Sequence, residues 1–308
     1  MLETIKVFFL AIVQGIGEFL PISSSGHLLV LGNLLFGGSD IEDELGTLGI
    51  LLHTGTLLSI LIIFRRQIWE MLSDNRRLML LIIVASIPTG IFGIIIHKYF
   101  NFLEQNVLIA GIGFLLTAWL LFNVIAPKKK SDYERYFDEI EELSNEENEL
   151  STSPPLKTLK TMTYRDAFIV GCFQTIAILP GCSRSGFTIS AGILRRLNQD
   201  AAASFSFLIA LPAIAGATLL EVLVLWKDQG PALLSDPNMH IFLLGSLVSF
   251  GVGLVSLIFL LKWLKEGRLQ YFGYWLLILG PAVVAWQLWE IISSHPFINE
   301  FLMNFLQK

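Results

Sequence analysis

Charge is scarce in this sequence. Asp, Glu, Lys and Arg together make up 15% of its 308 residues, against 54% hydrophobic residues, and the mean hydropathy is +0.65. Soluble globular domains carry charge on about a quarter of their positions, so the scarcity excludes that class and predicts a polytopic helical membrane protein. Cysteine is nearly absent. Only Cys172 and Cys182 occur, which excludes a disulfide framework and reads as buried, reduced thiols. No basic run suited to nucleic acid appears, and none opens the chain. With no small-residue cleavage site either, the first apolar stretch is expected to remain in the mature protein. The formal net charge of -5 says little about partners, because nine of the 26 acids fall between Asp132 and Glu149.

Long apolar runs are present instead. Stretches of roughly 18 to 25 residues, the length that crosses a hydrocarbon core, are readable at 47–64, 78–97, 107–126, 201–224, 241–262 and 271–292. Six crossings are predicted. Two further segments, 5–36 and 164–194, are apolar but interrupted by Pro21 and Pro180 and then by Ser/Gly runs. Broken helices at membrane depth are tolerated only where they line a protein cavity, so both are predicted to be re-entrant hairpins. The polar segment 127–163 reads as a solvated linker with a short helix around Tyr133–Leu143. One integral domain over 1–308 is expected, with halves 1–126 and 164–292.

The two interrupted segments echo each other. Shifted by 160 positions, Gln14 falls on Gln174, Ile16 on Ile176, Ser23 on Ser183, Ser25 on Ser185 and Gly26 on Gly186. Lys and Arg of short loops face the cytoplasm. Arg65, Arg66, Arg76 and Arg77, then Lys128, Lys129, Lys130, Arg135, Lys157 and Lys160, and finally Arg195, Arg196, Lys262, Lys265 and Arg268 all fall on one side of the predicted crossings. The acidic stretch Asp40, Glu42, Asp43, Glu44 and both termini then lie outside. The fold expected is all-α, with six transmembrane helices and two re-entrant hairpins in an inverted-topology repeat whose shared site lies near the midplane.

Ionisable groups inside a membrane are costly and mark function. Glu18 sits in the apolar run IVQGIGEFLP, with Gln14 four residues earlier on the same helical face. A purely structural Glu18 would only satisfy the broken backbone. His27 follows Ser23, Ser24, Ser25 and Gly26, where an imidazole can serve as a base or as a nucleophile toward phosphorus. Ser24 or Ser23 can attack a phosphoryl group once activated by His27 or Glu18, although hydroxyl clusters also cap helices. Arg184, set among Ser183, Ser185, Gly186 and Thr188, offers a planar fork of donors suited to phosphate or pyrophosphate. His53, beside Thr54 and Thr56, reads as a support for the site or as a packed histidine. His97, His240 and His295 read as span ends or loops, and Glu221 as a residue reaching headgroups.

With these residues assembled, the chain resembles the undecaprenyl pyrophosphate phosphatase family, the bacitracin-resistance integral membrane phosphatases, over essentially its whole length. The resemblance rests on the run Gln14–His27, the run Leu179–Thr188, and Ser204–Pro212. It implies hydrolysis of undecaprenyl pyrophosphate to undecaprenyl phosphate, recycling the lipid carrier of cell-wall synthesis in the bacterial inner membrane. Functional positions carry over onto Gln14, Glu18, Ser24, His27, Ser183, Arg184 and Thr188; Ser23, Ser25 and Ser185, in the same hydroxyl runs, are expected as further phosphate contacts beside them. A divalent cation, magnesium or calcium, on Glu18 is implied as well, as is a site open to the outer face. A homodimer is compatible with the resemblance. Gln14 occupies a position where the family allows Glu or Gln and cannot supply charge to a metal.

The reaction expected has Arg184, Ser183, Thr188 and loop amides clamping the pyrophosphate while Ser24 attacks the terminal phosphorus with His27 as base. His27 as direct nucleophile is the variant. Inverted repeats of broken helices also build transporters, so a polyprenyl-phosphate transporter or flippase is the rival expectation. The type 2 phosphatidic acid phosphatases share SGH and SR motifs, but Ser190 stands where their second histidine belongs.

Overall fold

The computed structural model describes residues 2–36, 41–73, 75–125, 156–230 and 239–294. Helices make up nearly all of them, apart from a single β-bridge between Lys157 and Leu197. The first interrupted segment is α1 (Leu2–Gly17) and α2 (Ser24–Phe36); α3 (Ile41–Ile63), α4 (Arg65–Ser73), α5 (Arg76–Tyr99) and α6 (Val107–Leu120) complete the first half. The second half holds α7 (Tyr164–Ile176), α8 (Arg184–Leu194), α9 (Gln199–Gln229), α10 (Met239–Lys265) and α11 (Gln270–Ser294). The linker helix expected around Tyr133–Leu143, the loop residue Asp40 and His295 lie outside the described residues.

Among the described residues five helical stretches are long and apolar enough to cross a bilayer: Arg76–Ile96, Val107–Val124, Gln199–Val224, Met239–Lys265 and Gln270–Ser294. A sixth is reached by joining α3 to α4, which are bent by 72° against each other at Phe64. Residues 65–73 fall in the loop expected between the crossings at 47–64 and 78–97. They form a short helix that exposes Trp69, an arrangement suited to a membrane interface. α6 runs into a π-helical turn, Leu121–Ile125, the kind of local rewinding that accompanies functional sites.

The halves interlock. α1 of the first half packs on α10 of the second, and α7 of the second packs on α5 of the first; α3 lies against α10 and α9, and α6 against α11. Small residues allow these approaches. A Cβ on Gly55 would collide with the Ser246 carbonyl of α10, and one on Gly171 with the Ala85 carbonyl of α5. The main core gathers Phe19, Ile60, Phe114, Phe205 and Phe207, all fully buried, around the breaks; Val7, Leu10, Leu52 and Phe242 form a second cluster.

Both breaks are built alike. Ser23 Oγ accepts from Gly26 N at 3.3 Å and Ser183 Oγ from Gly186 N at 3.2 Å, so each break restarts its second helix with a serine cap. The same hydroxyls pair with Ser25 at 3.3 Å and with Ser185 at 3.2 Å. Thus the 160-residue shift reproduces hydrogen bonds as well as residue types. The breaks touch each other through backbone: a Cβ on Gly26 would lie 2.7 Å from Gly181 N. Gly181 has φ +82°, which glycine adopts freely; Ser23 has φ +69°, which a side chain resists.

One end of the second interrupted segment is tied down by charge. Asp166, fully buried in the first turn of α7, accepts from Lys157 Nζ and Arg195 Nε, each at 2.8 Å, and closes a capping box with Thr163. Burial pushes its carboxyl up, but Lys157, the Thr163 N–H and hydroxyl, and Arg195 outweigh that and hold it well below the usual carboxylate range. Arg77 of α5 donates to the carbonyls of Leu159 and Met162. Several basic residues that sequence reading used only for orientation therefore bind the linker's end to the helix ends.

Candidate functional site

α1 ends just before Glu18. Pro21 cannot continue the helix, and the chain turns back through Ser23 into α2. This places the Glu18 side chain between the two halves, buried. Its Oε2 accepts from Ser24 Oγ at 2.8 Å and from Gln14 Nε2 at 3.0 Å, while its Oε1 accepts from Arg184 Nη2 at 2.8 Å. His53 Nε2 of α3 stands 3.8 Å from Oε2, its Nδ1 bonded to the Gly49 carbonyl at 2.8 Å. One carboxylate thus collects a guanidinium from the opposite half, a hydroxyl, an amide and a nearby imidazole.

Arg184 opens α8, directly after the cap Ser183. Its Nη1 is buried and has no partner among the described residues. An unmet guanidinium donor is expensive to keep, and an anion's oxygen would satisfy it. Beside it, Ser183 and Ser185 share a hydrogen bond, and Thr188 donates back to the Arg184 carbonyl at 2.7 Å while meeting Ser206 of α9. Thr117 of α6 accepts from Ser183 N and donates to Gly181 O, both at 3.0 Å, which fixes the second break from outside its own segment.

His27 is placed differently from its expected partners. Its Nδ1 lies 2.8 Å from the Ser23 carbonyl, and its Nε2 accepts from Trp275 Nε1 of α11 at 3.0 Å. Among the described residues no hydrogen bond joins it to Ser24, Glu18 or Arg184. The Ser24 hydroxyl goes to Glu18. Ser25 is exposed, and among the described residues its hydroxyl meets only that of Ser23. An apolar groove of about 280 Å³, lined by Val13, Ile16, Ile22, His27, Phe272 and Trp275, runs beside the imidazole.

The side chains do not fit a resident divalent-cation site. Among the described residues no group of three His, Cys, Asp or Glu converges. Glu18 commits one oxygen to a guanidinium, which repels a cation, and the other to two donors. Among the described residues Gln14 Oε1 is the one buried side-chain oxygen beside Glu18 left without a donor, whereas calcium takes about six to eight oxygens and magnesium draws most of its roughly six from water and substrate phosphates.

Residues 7–282 match the model of the family described as Bacitracin resistance protein BacA. The chain belongs to this family. The undecaprenyl-diphosphatase of Rhodopirellula baltica is 39% identical over 289 residues, covering 92% of this chain and 98% of the relative. That of Alkaliphilus metalliredigens is 36% identical over 306 residues, 93% of this chain and 100% of its own. That of Halothermothrix orenii is 37% identical over 286 residues, covering 92% and 98%. The family match spans both breaks and every residue of the Glu18 cluster.

Thr117, Trp275, Ser206 and Asp166 were not singled out by sequence. Thr117 and Trp275 stand in apolar runs where a lone polar or aromatic residue is ordinary. Ser206 belonged to a stretch of family resemblance without a role. Asp166 had a readable signal, since Thr163 followed three residues later by an acid before an apolar run is a capping pattern.

Proposed function

We propose that this protein hydrolyses undecaprenyl pyrophosphate to undecaprenyl phosphate and inorganic phosphate. The observation that carries this reading is the bond between Glu18 and Arg184, which assembles an acid, a hydroxyl and a partly unmet guanidinium from two halves of the chain. Phosphoryl transfer is driven mainly by positioning and charge neutralisation. The family relatives bear the name of this activity, whereas nothing favours a transporter without chemistry.

In the reading proposed, the diphosphate competes with Glu18 for Arg184. As phosphate oxygens take the guanidinium and the amides at the Ser183 cap, the Glu18 carboxylate is released to accept the Ser24 proton. Ser24 Oγ attacks the terminal phosphorus, the P–O–P bond breaks, and the lipid monophosphate leaves with the bridging oxygen. Water then cleaves the phosphoserine while the lipid monophosphate is still bound: His27 takes the water's proton as the second base, and Glu18 returns its own to Ser24 Oγ. The resting geometry supports Glu18 rather than His27 as acceptor of the Ser24 proton, because Ser24 already donates to it.

The finer architecture belongs to the same proposal. The reciprocal packing of α1 on α10 and α7 on α5, with matching serine caps, supports halves inserted in opposite senses. Basic residues at the ends of α4, α5, α8 and α10 support a cytoplasmic side there, so that the termini, and the mouth of the site, face outward across the inner membrane. A homodimer is retained as an expectation for solution measurement.

Purified protein in detergent tests the function. Stoichiometric phosphate release from undecaprenyl pyrophosphate, lost on Ser24→Ala, is expected; lipid or ion transport in vesicles without phosphate release would overturn it.

A further inference from the structure

The groove beside His27 couples an apolar surface to a catalytic imidazole through one indole. The Ser23 carbonyl is only an acceptor, so His27 Nδ1 must carry the proton, leaving Nε2 with the ring's lone pair. An indole N–H is only a donor, and Trp275 Nε1 spends it on that lone pair at 3.0 Å, with the rings nearly parallel at 15°. In this resting arrangement His27 cannot accept a proton from anything else. Phe114 presses on its other side, 5.0 Å away edge-on, so the imidazole has little freedom to turn from the indole.

Trp275 is not held equally firmly. Its indole is half exposed, at 50% for the residue, and the N–H to His27 is the side chain's one hydrogen bond among the described residues. Together with Phe272 it forms one wall of the groove, facing Val13, Ile16 and Ile22. A wall of this composition recognises hydrocarbon and offers nothing to a polar headgroup.

We propose that Trp275 is a positioning residue for His27: a hydrocarbon chain entering the groove displaces the indole and so frees Nε2 for the reaction. This rests on the phosphatase reading above. It ties the lone pair's availability to the lipid part of the substrate, so a water-soluble diphosphate meets a blocked base while a prenylated one unblocks it. Trp275 touches no reacting atom and acts only through His27.

The experiment measures carbethoxylation of His27 by diethylpyrocarbonate, located by peptide mass spectrometry, with farnesol as a phosphate-free hydrocarbon probe. Farnesol is expected to speed modification of His27 in the wild-type protein, even though it occupies the adjoining groove. Trp275→Phe, which keeps an aromatic wall and removes the donor, is expected to react about 2- to 10-fold faster than wild type without farnesol, the range for loss of one net hydrogen bond. In that variant farnesol should slow the reaction by covering the ring. Wild-type modification that farnesol slows or leaves unchanged overturns the proposal, as does a Trp275→Phe rate no higher than wild type. Phosphate release by the wild type is assayed in parallel: its absence sinks the phosphatase reading, while its presence with a wrong farnesol response sinks only the role of Trp275.

Discussion

Arg184 Nη2 and Glu18 Oε1 lie 2.8 Å apart although 166 residues separate them in the chain. The pair ties the two broken segments together by charge. Removing one member of a buried pair leaves the other uncompensated and costs about 3–5 kcal/mol. Arg184→Ala is therefore expected to lower the melting temperature and to cut turnover by roughly 10³-fold or more, the scale of a transition-state arginine. Thermal melts and phosphate release check both; an active, unshifted Arg184→Ala protein would refute the pairing's role.

Glu18→Gln separates binding from chemistry. The amide keeps the shape and leaves the guanidinium without its competing carboxylate, so KM for the lipid diphosphate should fall. Loss of the base should reduce kcat by about 10²–10⁴-fold. Steady-state kinetics decide it, and a raised KM would show that Glu18 does not compete with substrate for Arg184.

Ser23 holds a left-handed backbone conformation while its hydroxyl caps α2. Ser23→Ala loses the cap and keeps the strain; Ser23→Gly loses the cap and relieves it. The glycine variant should be the more stable of the two by about 1 kcal/mol. Equal melting temperatures would mean the backbone there carries no strain.

Asp166 links the start of α7, the end of α8 and the linker's end through Lys157 and Arg195. Because its carboxyl is held below its ordinary value of 3.8, its contribution is complete above that pH and fades as the pH falls below it. Asp166→Asn should lower the melting temperature at pH 6 and flatten its dependence on acid. A variant with the wild-type acid profile would show that another carboxylate governs it.

Chelation should leave the substrate-free protein's melting temperature unchanged, since Glu18 and Gln14 do not amount to a resident cation site. Any loss of turnover with chelator would then come from metal carried by the diphosphate. A melting temperature that drops on chelation, and recovers with magnesium or calcium, would contradict this.

The sequence made the helical class, both breaks and the serine repeat legible, because proline, glycine and hydroxyl runs interrupt apolar stretches in a way few other structures require. Glu18 and Arg184 stood out for the same reason: charge inside a span is rare enough to read. What stayed hidden depended on approach between distant segments. Thr117 gains its role only because the second break comes to rest on α6, and Trp275 only because α11 brings an indole to His27. The short helix α4 was read as loop since its nine residues are too few for a period to outweigh their charge. The Ser24 hydroxyl has two candidate acceptors on paper, Glu18 and His27, and only the turn through Ser23 decides between them.

The most direct measurement is a double-mutant cycle on phosphate release with Glu18→Ala, Arg184→Ala and the pair together. Groups that act as one unit do not lose activity independently, so the double variant should be no slower than the slower single. Losses that multiply would mean that the two halves contribute separately and that no shared diphosphate site forms between them.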